Sequence, residues 1–319
     1  MVKELDVICI GAALVDIVSK VKRHPINDDE VFVSDLKLFS GGAAANTAYA
    51  CAKLGLRVAF IGKLGHNDEF GKKILKDFKE VPLNLSLITY TEEYTTGSAY
   101  VALTENGERR IYAYSGAANT LSIDDIKTED IAKTNTLFLS SLQNTAPLKK
   151  AAKIARNYNI PVILNPGMLI IEQGFDSLKD FLMYIDILII SRREFRSLFH
   201  LGEINFNNQL KEKAKSIFKL GIKILIITLG NEGAMLITSE KFEIIKPIEE
   251  IQVVDTTGAG DAFSAGFLYS FIKNYSFKFE DIRYGIKIGN FVAGRCIQNL
   301  GARKGIPSAD DVILKSLNR

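Results

Sequence analysis

Residues 255–272 read DTTGAGDAFSAGFLYSFI, two threonines, two glycines and two aspartates running straight into an apolar stretch of helical length. Gly258 and Gly260 let the backbone enter conformations costly for other residues, and they let another molecule approach the main chain. If a helix starts near Asp261, its unpaired N–H groups and dipole place positive potential at the amides of Gly258, Ala259, Gly260 and Asp261, which suits a phosphate or a developing oxyanion. A carboxylate at the same spot can take a proton from an alcohol. Charge stabilisation and an aligned nucleophile are what phosphoryl transfer to a hydroxyl requires. The same letters equally describe an ordinary helix N-cap contributing about 1 kcal/mol. No Walker A pattern, GxxxxGK[ST], occurs here or elsewhere in the chain.

Outward from this stretch, short apolar runs alternate with amphipathic segments. LDVICIGA (5–12), VAFIGKLG (58–65), TLFLSSL (136–142), PVILNPG (161–167), DILIIS (186–191) and KILIITLG (223–230) have the continuous apolar character of strands covered on both faces. PLKKAAKIARNYN, FDSLKDFLMYI and NNQLKEKAKSIFKLG carry apolar residues at helical spacing. This is the βαβ grammar of an α/β fold with a mostly parallel central sheet and helices on both faces. Two segments, 17–38 and 97–116, alternate polar with apolar residues around turn signals at Asn27-Asp28 and Asn106-Gly107, as one-face-exposed antiparallel strands do. They predict a small β-sheet beside the main body. No linker or repeat divides the chain, so a single domain over 1–319 is expected.

The composition narrows the partners. At 319 residues with 47% hydrophobic and 24% charged residues, the chain has the balance of an ordinary globular protein. The net charge of +3 is dispersed, which argues against a nucleic-acid partner. No apolar run reaches the roughly 20 residues of a bilayer span, and the N-terminus lacks a signal-peptide profile. A cytoplasmic protein is expected. Cys9, Cys51 and Cys296 are scattered in apolar surroundings and read as free thiols. His24, His66 and His200 have no metal-ligand spacing and read as surface or loop residues.

DTTGAGDAF is similar to the C-terminal signature of the ribokinase-like, or PfkB, carbohydrate kinase family, and SGGAAANTAYACAKLG at 40–55 resembles its N-terminal Gly-Gly signature. TLGNEGAML (228–236) and GNFVAGRCIQNLGARKGIPS (289–308) are similar to its nucleotide-side segments, so the likeness runs collinearly from about residue 5 to 308. The resemblance implies a large α/β body with a β-sheet lid, an ATP-dependent kinase that needs Mg2+ and takes a sugar or nucleoside, and a K+ requirement of the kind found in many members. It implies Asp261 as catalytic base, with Gly258, Ala259, Gly260 and Asp261 as the anion hole. Asp16, Gly41, Gly42, Asn46, Gln143 and Asn165 fall at substrate-side positions, the paired glycines letting the sugar approach the backbone. Thr228, Gly230 and Gly233 match the segment beside ATP, and Asn290 matches an adenine contact. Asp255 and Thr257 match a monovalent-cation loop. The exposed face of the lid, read as Val31, Val33, Tyr100, Val101, Ile111 and Tyr114, implies a homodimer with the lids at its centre.

The departures are informative. The family's Asn-x-x-Glu motif, which organises Mg2+ and phosphate through water, reads Ser191-Arg192-Arg193-Glu194; Glu194 remains, but Ser191 cannot present both a donor and an acceptor at the reach of Asn. Leu14, Ala43 and Gln143 replace the Asn, Lys and Glu usual in ribokinases, which weakens the case for free ribose. LNPGM at 164–168 replaces the Asp-x-Asn-x-Arg of fructokinase-like and ketodeoxygluconate-kinase-like members. Leu14, Ala43, Ala44 and Met168 leave room for a flat base, so the reading favours a ribonucleoside phosphorylated at its 5′-hydroxyl over ribose, fructose, ketodeoxygluconate or a sugar phosphate. Arg109 or Arg110 would clamp the phosphate of a sugar-phosphate acceptor. A nucleotide-binding pseudokinase or sensor on the same fold is the alternative from another class.

Overall fold

The computed structural model describes residues 3–106, 108–202, 206–247 and 251–312, the side chains of 206–208 excepted. In chain order its strands are β1 (Leu5–Ile10), β2 (Leu14–Val21), β3 (Val33–Gly41), β4 (Val58–Gly65), β5 (Leu83–Asn84), β6 (Ile88–Thr91), β7 (Thr96–Thr104), β8 (Arg109–Gly116), β9 (Thr134–Ser140), β10 (Val162–Asn165), β11 (Ile187–Ser191), β12 (Ile224–Thr228), β13 (Ala234–Ile237) and β14 (Phe242–Ile245). The helices are α1 (Ala43–Lys53), α2 (Glu69–Phe78), α3 (Thr128–Ile131), α4 (Ala146–Asn157), α5 (Gly167–Ile171), α6 (Phe175–Leu182), α7 (Arg192–Leu198), α8 (Phe206–Phe218), α9 (Ala259–Asn274) and α10 (Phe279–Cys296).

The large sheet runs β14-β13-β12-β11-β10-β9-β1-β4-β5, with β6 also on β4. Its pairs are parallel except β12–β13 and β13–β14, which are antiparallel. The apolar runs build it because both of its faces are covered. Val7 and Cys9 of β1 join a core with Phe263, Phe267 and Ile286 from α9 and α10, whereas Ile8 and Ile10 join a second core with Leu148, Phe181 and Phe195 from α4, α6 and α7. Period-two alternation therefore supplies both cores from one strand. Each such fully buried side chain contributes about 1.5–3 kcal/mol of transfer free energy.

The two alternating segments form a separate four-stranded sheet, β3-β2-β7-β8. Its central pair, β2–β7, is parallel rather than antiparallel. The two strands are joined through α1, β4 and α2, a crossover through the large body, and such a connection returns the chain in the same direction. A turn stands at 27–28, with Asp28 at φ 54°; of the second turn signal, Gly107 lies outside the described residues.

Register assigns the faces. Asp16 is opposite Phe39 and Ala99, Val18 opposite Lys37 and Val101, and Val101 opposite Ile111, so these share the face toward the body. Tyr100 is paired with Tyr112, and Ser98 with Tyr114, on the outer face beside Leu36 and Leu38. Val101 and Ile111 were expected on one face with Tyr100 and Tyr114 and instead stand on the opposite face, lining the cleft, where Ile111 is still 51% exposed. Alternation in a strand shows that two faces exist, but both faces here carry apolar side chains, so the pattern could not say which is outward. Val31 precedes β3 and is partly buried. His66 and His200 lie in loops, and the loop residue His24 has its ring nitrogens shielded from solvent. The three cysteines are free and buried. Among the described residues no helix is long and apolar enough to cross a membrane.

Candidate active site

The inner lid face and the body enclose a cleft of about 760 Å³. Val18, Phe39, Val101, Leu103, Ile111 and Arg109 line it from the lid; Val253 to Thr257 and Leu300 to Ala302 line it from the body, with Asp16 at the root of β2. Arg110, one residue along β8, pairs with Ala102 on the outer face. Thr228, Ser191, Asn165 and Ser140 close the C-terminal ends of adjacent strands β12, β11, β10 and β9. In open α/β sheets that edge is where ligands bind.

The start of α9 decides between cap and catalytic acid. Gly258 is the N-cap, in the left-handed region at φ 76°, and no side chain caps the helix. Asp261 is therefore the third helical residue, and its Oδ2 instead accepts a 2.9 Å hydrogen bond from Asn46 Nδ2. Ala259 N–H is used within the turn, donating to Thr256 O at 3.2 Å. For the amides of Gly258, Gly260 and Asp261 no acceptor is found among the described residues. A four-amide hole is thus three amides at a helix N-terminus, a cradle for an anion.

Two carboxyl groups, Asp261 on α9 and Asp16 in the cleft, resist ionisation. Desolvation pushes Asp261 up to about 7; the Asn46 hydrogen bond and the charge of Arg303 oppose it, while Asp16 and Glu194 add to it. Asp16 is pushed up to about 6, again mainly by burial, against the pull of Arg303 and Arg109 and with the push of Asp255. Carboxyl groups poised in this range within a cleft mark a site able to exchange protons near neutrality.

The glycines divide into two kinds. A Cβ on Gly41 would stand 2.2 Å from Asp16 Oδ2, and one on Gly42, at φ 93°, would stand 2.4 Å from Ala12 O. The space credited in the sequence to an approaching sugar is filled by the chain itself. Gly258 is constrained likewise by Ala302, 2.3 Å from a Cβ there, whereas Gly260 faces open space.

The remaining candidates are placed as follows. Asn165 Nδ2 donates to Ser264 Oγ (3.0 Å), which donates to Gly260 O (2.9 Å), tying β10 to α9. Ser191 is the N-cap of α7 in a reciprocal capping box: its Oγ accepts from Glu194 N, and Glu194 Oε2 accepts from Ser191 N at 2.6 Å. Gly233 turns tightly under Ile245 O, 2.1 Å from a Cβ built there, while Gly230 faces open space. Asn290 donates from Nδ2 to Ile245 O (3.0 Å) and borders a shallow pocket with Pro247, Ile251 and Phe291. Asp255 clasps its own loop, accepting from Thr257 N (2.9 Å) and Gly301 N (2.8 Å). Gln143 is exposed and does not line the cleft.

Two expectations about room for a base are corrected. Ala44 is fully buried in the core, and Met168 packs against the second core. The apolar surface of the cleft comes from the inner lid face and, on the body, from Val253, Val254, Leu300 and Ala302. One residue that the sequence did not single out reaches the site: Arg303 donates from Nε to Asn46 Oδ1 at 3.0 Å. In sequence it looks like one charge of a basic loop, and only its placement inside the GARKGIPS segment hinted at the site.

The sequence pattern described as pfkB family carbohydrate kinase matches residues 4–309. The chain belongs to the pfkB family. A pfkB chain of this kind is an ATP-dependent kinase with a hydroxyl acceptor. It is 32% identical over 263 residues to an uncharacterised sugar kinase of Archaeoglobus fulgidus, covering 82% of this chain and 99% of that one. It is 29% identical to a ribokinase of Staphylococcus aureus (96% and 98% covered) and 25% identical to a nucleoside kinase of Methanocaldococcus jannaschii (96% and 94%). Among solved structures, the Arabidopsis thaliana ribokinase complexed with ribose and ATP superposes with a TM-score of 0.82 at 28% identity, 98% of each chain being covered.

Proposed function

We propose that this pfkB kinase, one kinase domain over residues 1–319, transfers the γ-phosphoryl group of ATP to the 5′-hydroxyl of a ribonucleoside, with Asp261 as the base. The observation that carries the reading is a buried carboxylate on the first turn of α9, beside three amides for which no acceptor is found among the described residues, directly after the Asp255–Thr257 segment that lines the cleft. Asp261 takes the hydroxyl proton as that oxygen bonds to phosphorus and the bond to the ADP oxygen breaks; the amides of Gly258, Gly260 and Asp261 stabilise the charge on the moving group. Asp16 holds acceptor hydroxyls. Thr228, Gly230 and Asn290 flank the nucleotide. Magnesium would neutralise phosphate charge, and the residues present fit it only as phosphate-bound: among the described residues no cluster of three acidic, His or Cys side chains could hold a metal, leaving Glu194 to act through water. The 255–257 loop, with Asp255 bracing it, is the place for K+.

The acceptor class rests on the lid. Val18, Phe39, Val101, Leu103 and Ile111 present an apolar wall larger than a free pentose needs, and burial of a base against it is favourable. The outer lid face, with Leu36 at 55% and Tyr112 at 67% exposure, is the proposed homodimer surface; light scattering giving only monomer at micromolar concentration contradicts that.

The test is ADP formation by the purified protein with ATP and Mg2+ against nucleosides, ribose, fructose, ketodeoxygluconate and sugar phosphates. Highest kcat/KM for a nucleoside supports the reading; ribose would assign a ribokinase, and a sugar phosphate would turn attention to Arg109. No acceptor-dependent ADP at all would mean the nucleotide-binding sensor. Asp261→Asn should lower kcat by a factor on the order of 10²–10⁴ with ATP affinity retained; more than about a tenth of wild-type kcat rules the base out. Because a base must be ionised, acceptor kcat/KM should fall as pH drops through about 7, by about tenfold per unit below it.

A further inference from the structure

Arg303 lies in the loop after α10, 257 residues from the Asn46 it touches. Its guanidinium is stacked between Tyr49 of α1 and Phe78 of α2, at 5.0 and 5.1 Å from the ring centroids. Both terminal nitrogens are sealed from solvent and lack hydrogen-bond partners, and Arg303 makes no ion pair among the described residues. Burying a cation in this way is costly, and an apolar side chain of similar volume packs at such places without loss of stability. Folding alone therefore gives no reason for arginine at this position.

We infer that Arg303 is a positioning residue for phosphoryl transfer: its Nε–H fixes the Asn46 carboxamide so that the amide NH2, and not the oxygen, is turned to Asp261. The inference rests on Asp261 as the base. A guanidinium has only donors, so the Asn46 atom facing it must be the oxygen. The nitrogen end is then left for Asp261 Oδ2, 2.9 Å away. With Arg303 absent, the amide is free to turn its oxygen to Asp261, a geometry that suits only the protonated acid and disables the base. Carboxylates reach this cluster from three elements, Asp16 on β2, Asp77 on α2 and Asp261 on α9, with Glu194 of α7 also acting on Asp261. Arg303 is the cation common to Asp16 and Asp261. Although burial draws it down to about 10, it stays charged at neutral pH.

The experiment compares wild type with Arg303→Met and Arg303→Lys in two readouts. One is the 13C titration of the Asp261 carboxyl in aspartate-labelled protein, its signal identified by its loss in Asp261→Asn. The other is the pH profile of acceptor kcat/KM. Arg303→Met should move the Asp261 midpoint upward from about 7 by roughly a unit or more, move the acid limb equally, and lower kcat/KM at pH 7 about tenfold with recovery toward pH 9. Arg303→Lys, which keeps the charge without the same donor, should move both less. A thermal midpoint close to wild type in Arg303→Met separates positioning from folding. An unmoved Asp261 midpoint and acid limb in Arg303→Met overturn the inference. If Arg303→Met does not fold, Asn46→Ser, which cuts the link at its centre, must raise the Asp261 midpoint, and failure to do so overturns it equally. The two failures separate: turnover retained in Asp261→Asn removes the base reading and the inference with it, whereas turnover abolished in Asp261→Asn with no midpoint shift in Arg303→Met removes the inference alone.

Discussion

The two glycine pairs that bracket the cleft look alike in sequence and differ in what occupies the space of their missing side chains. At Gly41 and Gly42 that space holds the Asp16 carboxylate and the Ala12 carbonyl. At Gly258 it holds Ala302, and at Gly260 it holds nothing. Three of the four glycines are required because the chain packs against itself, and two of those, Gly42 and Gly258, also sit at positive φ. Only Gly260 leaves room that the fold does not use, next to two unpartnered amides. A glycine-rich signature thus mixes residues that make the turn with one beside which the fold leaves open space.

Substitution should break the pairs apart along this line. The largest effect on stability is expected at Gly258→Ala, where a left-handed φ and a methyl 2.3 Å from the Ala302 Cβ together should cost about 2–4 kcal/mol by urea unfolding. Gly260→Ala should do the opposite. Its methyl meets no protein atom within 4 Å and alanine favours the helix, so the thermal midpoint should hold or rise while the methyl crowds the proposed anion and kcat/KM for ATP falls by up to about 10²-fold, the lower end of losing one oxyanion-hole donor outright. Equal loss of stability in both variants would erase the distinction.

A smaller effect sharpens the other pair. Asp16 occupies the space of Gly41 with a carboxyl raised to about 6. A folded-state value above that of the unfolded chain means that folding favours the protonated form, so this group's contribution is present below about pH 4 and is lost as pH rises to about 6. Asp16→Asn should therefore raise the thermal midpoint of the ligand-free protein by about 2 °C at pH 8 and leave it unchanged at pH 4, while acceptor binding is lost. Differential scanning calorimetry at the two pH values checks the sign.

How much of this was legible in the sequence follows from how local each signal is. The strands of the large sheet were readable because continuous runs such as ILIIS at 187–191 fit only a sheet covered on both sides. The placement of Asp261 on the first turn of a helix followed from Gly258 to Asp261 themselves. The facing of the lid was not readable, since Val101 and Tyr100 are both apolar and only the register with β8 sorts them. The mutual capping of Ser191 and Glu194 was legible as Ser-x-x-Glu and was passed over for the family motif, whereas the sequence could not show that Gly41 is occupied by Asp16. Arg303 was hidden for the same reason: its burial depends on Tyr49, Phe78 and Asn46, which only the finished fold brings to it.

The Asn46 hydrogen bonds have a consequence for when the protein becomes active during its synthesis. They span 215 and 257 residues, so the proposed base Asp261 is held by a side chain far upstream of it, which is braced in turn by one made after it. Contacts of such separation close late in folding, because the loop entropy must be met before they form. The strands up to β14 all precede Arg303 in the chain, so its contact with Asn46 is made after the residues of both sheets have been synthesised. Chains stalled with residue 303 inside the exit tunnel and chains stalled with it clear of the tunnel should differ more in turnover than in protease resistance.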